Sequence, residues 1–179
     1  NRFVILENGF GSGLNFLATW AAWRADPARP QTLHYIATEM HPFPVADLAK
    51  LHRAWPPLEF LAEALRTRWP QLLPGFHRLE FAAGRVVLTL LLGDAETSLR
   101  QLRASVDAFY LDGFDPQKNP QMWSTPLLKR CGQLAAPNAT FATWCVAGQI
   151  RRALGEAGFT VQKLPGYANK RQMLAGRLI

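Results

Sequence analysis

The sequence predicts an α/β fold in which an open, mostly parallel sheet carries helices on both of its faces. Short apolar runs typical of β-strands alternate along the chain with segments whose apolar residues recur at helical spacing. The last two apolar runs, 159–164 and 173–179, follow each other without a helix between them. This closing pair indicates an antiparallel strand near the C-terminus.

Each predicted element follows from a turn signal or from periodicity. The run 3–6 ends in a glycine-rich turn, and the segment 14–23 has apolar residues at helical spacing. Pro56-Pro57 separates two predicted helices, and Ala83-Gly84 favours a hairpin between two strands. The predicted strands are 3–6, 33–37, 78–81, 85–92, 106–111, 140–144, 159–164 and 173–179, and the predicted helices are 14–23, 45–55, 58–69, 97–102, 126–134 and 149–157.

Composition limits the class of protein. The length of 179 residues suits one domain over residues 1–179, and a strand starting almost at Asn1 predicts that an N-terminal segment is missing. No apolar run reaches the ~20 residues that cross a bilayer, so no membrane partner is expected. Cys131 and Cys145 are far apart and the His residues are scattered, which favours the cytoplasm and no metal site. The formal net charge of +7 weakly favours a polyanionic partner.

A glycine-rich loop joins the first predicted strand to the first predicted helix. Residues 7–13 are Glu-Asn-Gly-Phe-Gly-Ser-Gly, and free N–H groups at a helix start can face a ligand. A dinucleotide fingerprint needs a third glycine where Leu14 or Phe16 stands, and no Lys follows as in a triphosphate loop. The pattern E-x-G-x-G-x-G instead resembles the first motif of class I S-adenosylmethionine-dependent methyltransferases. A purely structural turn is the alternative.

Two later acids stand at the ends of predicted strands. Glu39 can accept hydrogen bonds from both hydroxyls of a ribose, and Asp94 can accept from the exocyclic amine of adenine. Each acid alone is more often a helix N-cap, Asp94 especially. Together with Glu7, however, they give three acids at strand ends, which capping explains poorly, so S-adenosylmethionine is the predicted cofactor. Its predicted contacts are Glu7, Gly9, Phe10, Gly11, Gly13, Asn15, Glu39, Met40, Gly93, Asp94, Ala95 and Asp112.

The segment 107–123 is the most specific stretch of the chain. Its residues from Leu111 to Trp123 follow the order L-D-G-F-x-P-x-K-N-P-x-M-W. This resembles the hallmark of the methyltransferase part of the MnmC tRNA-modification enzymes, which also occurs alone as MnmD. The opening 9–17 matches the family too, so the resemblance covers nearly the whole chain. Departures from the family pattern are Met40-His41, Asp115 and Trp144-Cys145.

The resemblance implies a class I, Rossmann-like methyltransferase fold and a specific reaction. The methyl group would go from S-adenosylmethionine to the aminomethyl group of 5-aminomethyl-2-thiouridine at the tRNA wobble position. The implied partners are tRNA and a flavin-dependent oxidase domain, fused or separate. No second glycine fingerprint is present, so no flavin is expected in this chain.

The same resemblance implies which residues lie around the acceptor amine. Asp112 ends a predicted buried strand and is the candidate to orient the amine and accept its proton. The candidate substrate contacts are Phe114, Pro116, Lys118, Asn119, Trp123, Lys170 and Arg171. Several of them have an alternative role. Trp123 could equally pack in the core, and Asn119 could make hydrogen bonds that stabilise its own loop. Lys170 and Arg171 could simply be solvated surface charges.

Two other functions stay open at this point. A class I methyltransferase that acts on an amine of a protein or small molecule would keep the cofactor site and Asp112. A non-catalytic RNA-binding scaffold would keep only the fold, and it would not need acids at four strand ends. Those acids are Glu7, Glu39, Asp94 and Asp112.

Overall fold

The computed structural model describes residues 1–113, 115–166 and 171–179. Its strands are β1 (Arg2–Asn8), β2 (Thr32–Glu39), β3 (Gly75–Phe81), β4 (Val86–Leu92), β5 (Val106–Tyr110), β6 (Ala135–Thr143), β7 (Phe159–Pro165) and β8 (Gln172–Leu178). Its helices are α1 (Leu14–Ala25), α2 (Val45–His52), α3 (Glu59–Thr67), α4 (Ala95–Gln101), α5 (Thr125–Leu134) and α6 (Gly148–Glu156), with short 3-10 turns at Pro56–Leu58 and Pro120–Trp123. No helix in these ranges is long and apolar enough to cross a bilayer.

The eight described strands form one sheet in the order β3-β4-β2-β1-β5-β6-β8-β7. Strands β1, β2, β4, β5 and β6 are parallel, β3 pairs antiparallel with β4, and β8 pairs antiparallel with β6 and β7. The predicted mostly parallel sheet, its antiparallel strand near the C-terminus and the hairpin are therefore confirmed. Because β1 has β2 on one side and β5 on the other, its carboxyl end lies at the switch point where such sheets bind ligands.

The sheet is buried on both faces. Successive side chains of β1 alternate: Val4 and Leu6 join a core under α4, α5 and α6, while Ile5 joins a core under α1 and α3. Phe16 of α1 and Leu154 of α6 are both fully buried, one in each core. Burial on both faces explains why the central strands consist of continuous apolar runs and lack polar alternation.

Strand β6 begins at Ala135, five residues before the predicted start at 140. Pro137 and Asn138 favour a turn, and Asn138 has a φ of +63°. The strand nevertheless continues through them, with a register shift against β5, because Ala136 and Ala139 on either side are buried in the core. Helix α2 is shorter than predicted and ends at His52 instead of residue 55.

Candidate active site

The carboxyl ends of the central parallel strands meet along one edge of the sheet. Glu7 in β1 lies beside Tyr110 in β5, and Glu39 in β2 lies beside Leu92 in β4. A groove with two lobes opens above them, and the lobes have volumes of about 360 and about 370 Å³. Both lobes are lined by Gly9, Gly11, Glu39 and Met122.

The groove collects nearly all of the residues predicted to contact a cofactor. The first lobe is lined by Glu7, Gly9, Phe10, Gly11, Asn15, Glu39 and Asp112. The second lobe adds Met40, Gly93, Asp94 and Ala95. Gly13 lines neither lobe. It precedes α1 with a φ of +76°, and a Cβ there would lie 2.6 Å from the Phe10 ring, so its part is to shape the loop.

Hydrogen bonds from neighbouring elements hold the glycine loop. The backbone N–H groups of Gly9 and Phe10 donate to the Thr38 carbonyl at 3.2 and 2.9 Å. On the other side of the loop, Nε2 of His52 donates to the Ser12 carbonyl at 2.8 Å. The guanidinium of Arg66 donates to Nδ1 of His52 at 3.0 Å. Because Nδ1 accepts this bond, the ring proton of His52 is on Nε2. The loop is thus preorganised by β2, α2 and α3.

One amide joins the two acids at the floor of the first lobe. Nδ2 of Asn15 donates to Oε1 of Glu7 at 2.7 Å and to Oδ2 of Asp112 at 2.8 Å. Glu7 is 1% exposed, and its Oε2 has no hydrogen-bond partner among the described residues. Burial raises the pKa of Glu7 to about 8, although the bond from Asn15 acts in the opposite direction. Among the described residues no cation pairs with Glu7, so a positively charged ligand in this lobe would compensate the charge of the ionised form.

The two other acids make backbone hydrogen bonds. Oε2 of Glu39 accepts from the Gly11 N–H at 2.8 Å, and its Oε1 accepts from the His41 N–H at 2.7 Å. Asp94 accepts from the Thr97 N–H at 2.7 Å and caps α4. Hydrogen bonding by Thr97, from its side chain and its backbone, lowers the pKa of Asp94. Both side chains line the second lobe, so these backbone hydrogen bonds and contact with a ligand are compatible.

A third cavity, of about 510 Å³, adjoins the first lobe and shares Asp115 and Trp144 with it. Two of the predicted substrate contacts, Pro116 and Arg171, line this cavity. The indole N–H of Trp144 donates to the Gly113 carbonyl at 3.2 Å, which holds the ring at the boundary between the two spaces.

Three other predicted substrate contacts do not line the third cavity. Trp123 is 5% exposed, belongs to the core under α4 to α6 and meets Trp144 edge-to-face at 6.3 Å, so it packs behind the site. Asn119 lines the second lobe and not the third cavity, and Lys118 is exposed on the loop. Phe114 and Lys170 lie outside the described residues.

Several lining residues were not identified by the sequence analysis as contacts. Met122 lines both lobes of the groove, and Ser12, Leu14 and Trp144 line the first lobe. Trp144 follows β6 as Asp112 follows β5, and β6 is parallel to β5. Its position just after a neighbouring parallel strand was the signal that could have identified Trp144.

No group of three His, Cys, Asp or Glu side chains in the described ranges is placed to hold a metal ion.

Comparison with known proteins extends these observations. Residues 56–179 match a family model described as S-adenosyl-L-methionine-dependent methyltransferase. The chain is 56% identical, over 99% of its length, to the tRNA 5-methylaminomethyl-2-thiouridine biosynthesis bifunctional protein MnmC of Azoarcus sp. (strain BH72), and it spans 28% of that protein. MnmC2 from Aquifex aeolicus has a TM-score of 0.77 at 23% identity, with 99% of this chain and 53% of that chain covered. CalS10, an S-adenosylmethionine-bound amino pentose methyltransferase from Micromonospora echinaspora, has a TM-score of 0.55 at 13% identity, with 99% and 84% covered.

The two solved structures confirm the predicted Rossmann-like methyltransferase fold. The Azoarcus protein and the other MnmC relatives confirm the resemblance carried by the segment 107–123. The family match covers more than half of the chain, and the glycine loop with its acids lies at the expected edge of the sheet. The chain belongs to the S-adenosyl-L-methionine-dependent methyltransferase family.

Proposed function

We propose that this chain methylates the aminomethyl group of 5-aminomethyl-2-thiouridine at the wobble position of tRNA. The observation that carries the proposal is the continuity between the cofactor groove, which contains Asp112, and the third cavity, which is large enough for a nucleobase. The name of the Azoarcus relative, for biosynthesis of 5-methylaminomethyl-2-thiouridine, supplies the substrate. An acceptor amine that enters the third cavity reaches Asp112 past Trp144.

The groove suits S-adenosylmethionine, which supplies a methyl group activated by a sulfonium. Glu7, buried and with one oxygen unpartnered among the described residues, would face the positively charged methionine end in the first lobe. Glu39 would accept from the ribose hydroxyls, and Asp94 would lie near the adenine in the second lobe. Gly9 has no side chain and lines both lobes, so the backbone of the loop can lie close to this ligand.

Asp112 would act on the acceptor amine. A primary alkylamine is protonated near neutral pH, so the site must attract the ammonium and then accept a proton. The ammonium would first lose one proton to the Asp112 carboxylate or to water, which frees the nitrogen lone pair. That lone pair would then form the bond to the methyl carbon, and the electron pair of the broken carbon–sulfur bond would stay on the sulfur. Asn15 occupies Oδ2 of Asp112 and so leaves Oδ1 as the oxygen that faces the amine. Positioning supplies much of the rate, because the methyl donor is already activated.

The third cavity would hold the flipped nucleotide. Trp144 offers an aromatic face for stacking, which is worth ~1–3 kcal/mol per base. Arg171 lies at the same cavity and would contact a phosphate, with Lys118 on the exposed loop as a further cation. Phe114 and Lys170 stay part of the proposed substrate contact on sequence grounds alone.

The proposal extends to the partners of this domain. Residues 1–179 would act as one methyltransferase domain, since the eight described strands share one sheet. The relatives are named bifunctional and this chain spans 28% of the Azoarcus protein, which supports a fused flavin-dependent oxidase as partner. Two free thiols, Cys131 and Cys145, suit the reducing cytoplasm.

The experiment is methyl transfer from labelled S-adenosylmethionine to tRNA bearing 5-aminomethyl-2-thiouridine, with unmodified tRNA as control. Asp112→Asn should lower kcat by about 10²- to 10⁴-fold. The control is Asp47→Asn, at a half-buried residue on α2 that pairs with Lys50, and it should leave kcat unchanged. Label on the modified tRNA alone supports the proposal. Cofactor binding with label on a free or protein amine would point to another methyltransferase, and RNA binding without cofactor binding would point to a scaffold.

A further inference from the structure

A second surface lies at the opposite edge of the sheet from the cofactor groove. The last turn of α1, one side of α3 and the β3–β4 turn enclose a cavity of about 380 Å³ there. Four arginines line it, and we refer to them as the arginine cluster: Arg24, Arg29, Arg68 and Arg85. We propose that this surface binds the phosphates and an unpaired base of the tRNA whose wobble nucleotide enters the active site. This inference rests on the proposed function.

Each guanidinium of the arginine cluster lies over an aromatic ring. Arg29 is 4.9 Å and Arg85 is 6.0 Å from the Trp23 ring centroid. Arg24 is 5.3 Å from the Phe60 ring, and Arg68 is 5.6 Å from the Phe81 ring. Stacking fixes the planes of these groups and lowers the entropy lost when they bind a planar or tetrahedral anion.

The cluster lacks a counter-charge within the described part of the chain. No acidic side chain lines the cavity, and none of its four arginines forms an ion pair with a described carboxylate. By contrast, Arg66, Arg78 and Arg100 each pair with a glutamate. Four like charges around one cavity repel one another, so an anion bound there is stabilised by all of them.

An exposed ring accompanies the charges. Phe60 is 70% exposed on α3, which leaves one face of a large apolar group beside the cluster in water. Guanidinium groups match phosphate oxygens in geometry, and an exposed aromatic ring stacks on an unpaired base. The arginine cluster and the exposed ring of Phe60 together favour RNA as the ligand. An acidic protein segment would use the arginines but has no base to stack on the ring.

Helix α1 connects this surface to the active site. Its first residue, Leu14, lines the cofactor groove, and Trp23 and Arg24 in its last turns line the arginine cavity. At 1.5 Å per residue, Leu14 and Arg24 lie about 15 Å apart along the helix. An RNA with one nucleotide in the active site can therefore reach the cluster. Because phosphate contacts are independent of sequence, the surface should bind unmodified tRNA equally well.

The test measures binding of an unmodified tRNA transcript to the 179-residue chain by fluorescence anisotropy at several salt concentrations. Arg68→Gln with Arg85→Gln should weaken binding by about tenfold and lower the salt slope by about two. The matched control is Arg53→Gln with Arg103→Gln, which removes the same charge from exposed arginines outside the cavity. S-adenosylmethionine affinity and the melting temperature are measured for both pairs, so that a general loss of structure is recognised.

Phe60 gives a second variant with no change of charge. Phe60→Ala should weaken binding by about tenfold with an unchanged salt slope, and Phe60→Trp should restore it. Equal tRNA affinity in the cluster pair and the control pair would overturn the inference, as would binding of poly-glutamate in place of tRNA. The double variant Arg68→Gln, Arg85→Gln could weaken tRNA binding while the unsubstituted protein methylates no tRNA. That result would support the RNA-binding surface and contradict the proposed function.

Discussion

Asn15, the second residue of α1, donates from Nδ2 to Oδ2 of Asp112, 97 positions later, across 2.8 Å. The same nitrogen donates to Glu7, so the amide keeps two carboxylates of neighbouring strands at a fixed spacing. An ammonium or guanidinium in this place would neutralise the acids. A neutral amide orients both carboxyl groups without pairing a charge with them, so they remain available to a cationic ligand and an amine substrate.

The first prediction concerns this amide. Asn15→Ala should lower kcat for methyl transfer by about tenfold to a hundredfold, because a lost hydrogen bond to a charged group is worth ~1.5–3 kcal/mol. KM for tRNA should change little, since Asn15 does not line the third cavity. Steady-state kinetics on modified tRNA separate the two constants. A rise in KM at unchanged kcat would contradict the positioning role.

The second prediction is a pH dependence of stability. Folded Glu7 has a raised pKa of about 8, against 4.5 for the free group. Folded Glu7 therefore keeps a proton that the unfolded chain releases, and its contribution to stability is complete below pH 4.5 and is lost as the pH rises to about 8. Glu7→Gln should raise the melting temperature at pH 8.5 and have little effect at pH 5. The difference corresponds to a few kcal/mol, on the order expected for a shift of this size.

Thermal melts of parent and Glu7→Gln at both pH values check this expectation. Glu63→Gln is the matched control, because Glu63 is exposed on α3. A melting-temperature difference that is the same at pH 5 and pH 8.5 would show that Glu7 is already ionised in the folded protein.

The third prediction links Glu7 to the cofactor. S-adenosylmethionine is cationic and should prefer the ionised form of Glu7, so its affinity should increase as the pH rises from 6 to the Glu7 pKa of about 8. Binding should then release a proton in that range. Calorimetry in two buffers with different ionisation enthalpies measures the proton. Glu7→Gln should abolish both the release and the pH dependence, and an unchanged proton release in the variant would assign it to another group.

The fourth prediction compares two glycines with positive φ. Gly9 has a φ of +97° in the cofactor loop, and Gly84 has a φ of +78° in the exposed β3–β4 turn. Alanine in a left-handed conformation costs roughly 1–2 kcal/mol, so both substitutions should lower the free energy of unfolding similarly. Only Gly9→Ala should also weaken S-adenosylmethionine binding, by about tenfold. Isothermal titration tests this, and equal affinity in the two variants would exclude close backbone approach at Gly9.

The fifth prediction compares two helical glycines away from the groove. A Cβ at Gly132 in α5 would lie 2.1 Å from the Ala157 carbonyl oxygen, whereas a Cβ at Gly155 in α6 meets nothing within 4 Å. Gly132→Ala should lower the free energy of unfolding by about 1–3 kcal/mol, because the α5–α6 contact must open. Gly155→Ala should raise it by up to about 1 kcal/mol. Urea unfolding gives both values, and opposite signs are the expected result.

The strand ends explain why most residues that line the candidate site could be identified from the sequence. Each parallel strand is a continuous apolar run, so the residue that follows it is recognisable, and parallel register brings these residues to one edge. Glu39 and Asp94 were located in this way. A sequence motif does not show which of its side chains are buried. Trp123 belongs to the motif but packs in the core, whereas Trp144, outside the motif, borders the third cavity.

The sequence by itself determined the α/β class, the glycine loop, the acids at the strand ends and the resemblance of the segment 107–123. These are local patterns of period and spacing. The tertiary structure alone decided which groups meet: the amide of Asn15 between Glu7 and Asp112, the path of β6 through Pro137, and the arginine cluster. Such contacts depend on packing between residues far apart in the chain, and no local pattern encodes a distance between two side chains on different elements.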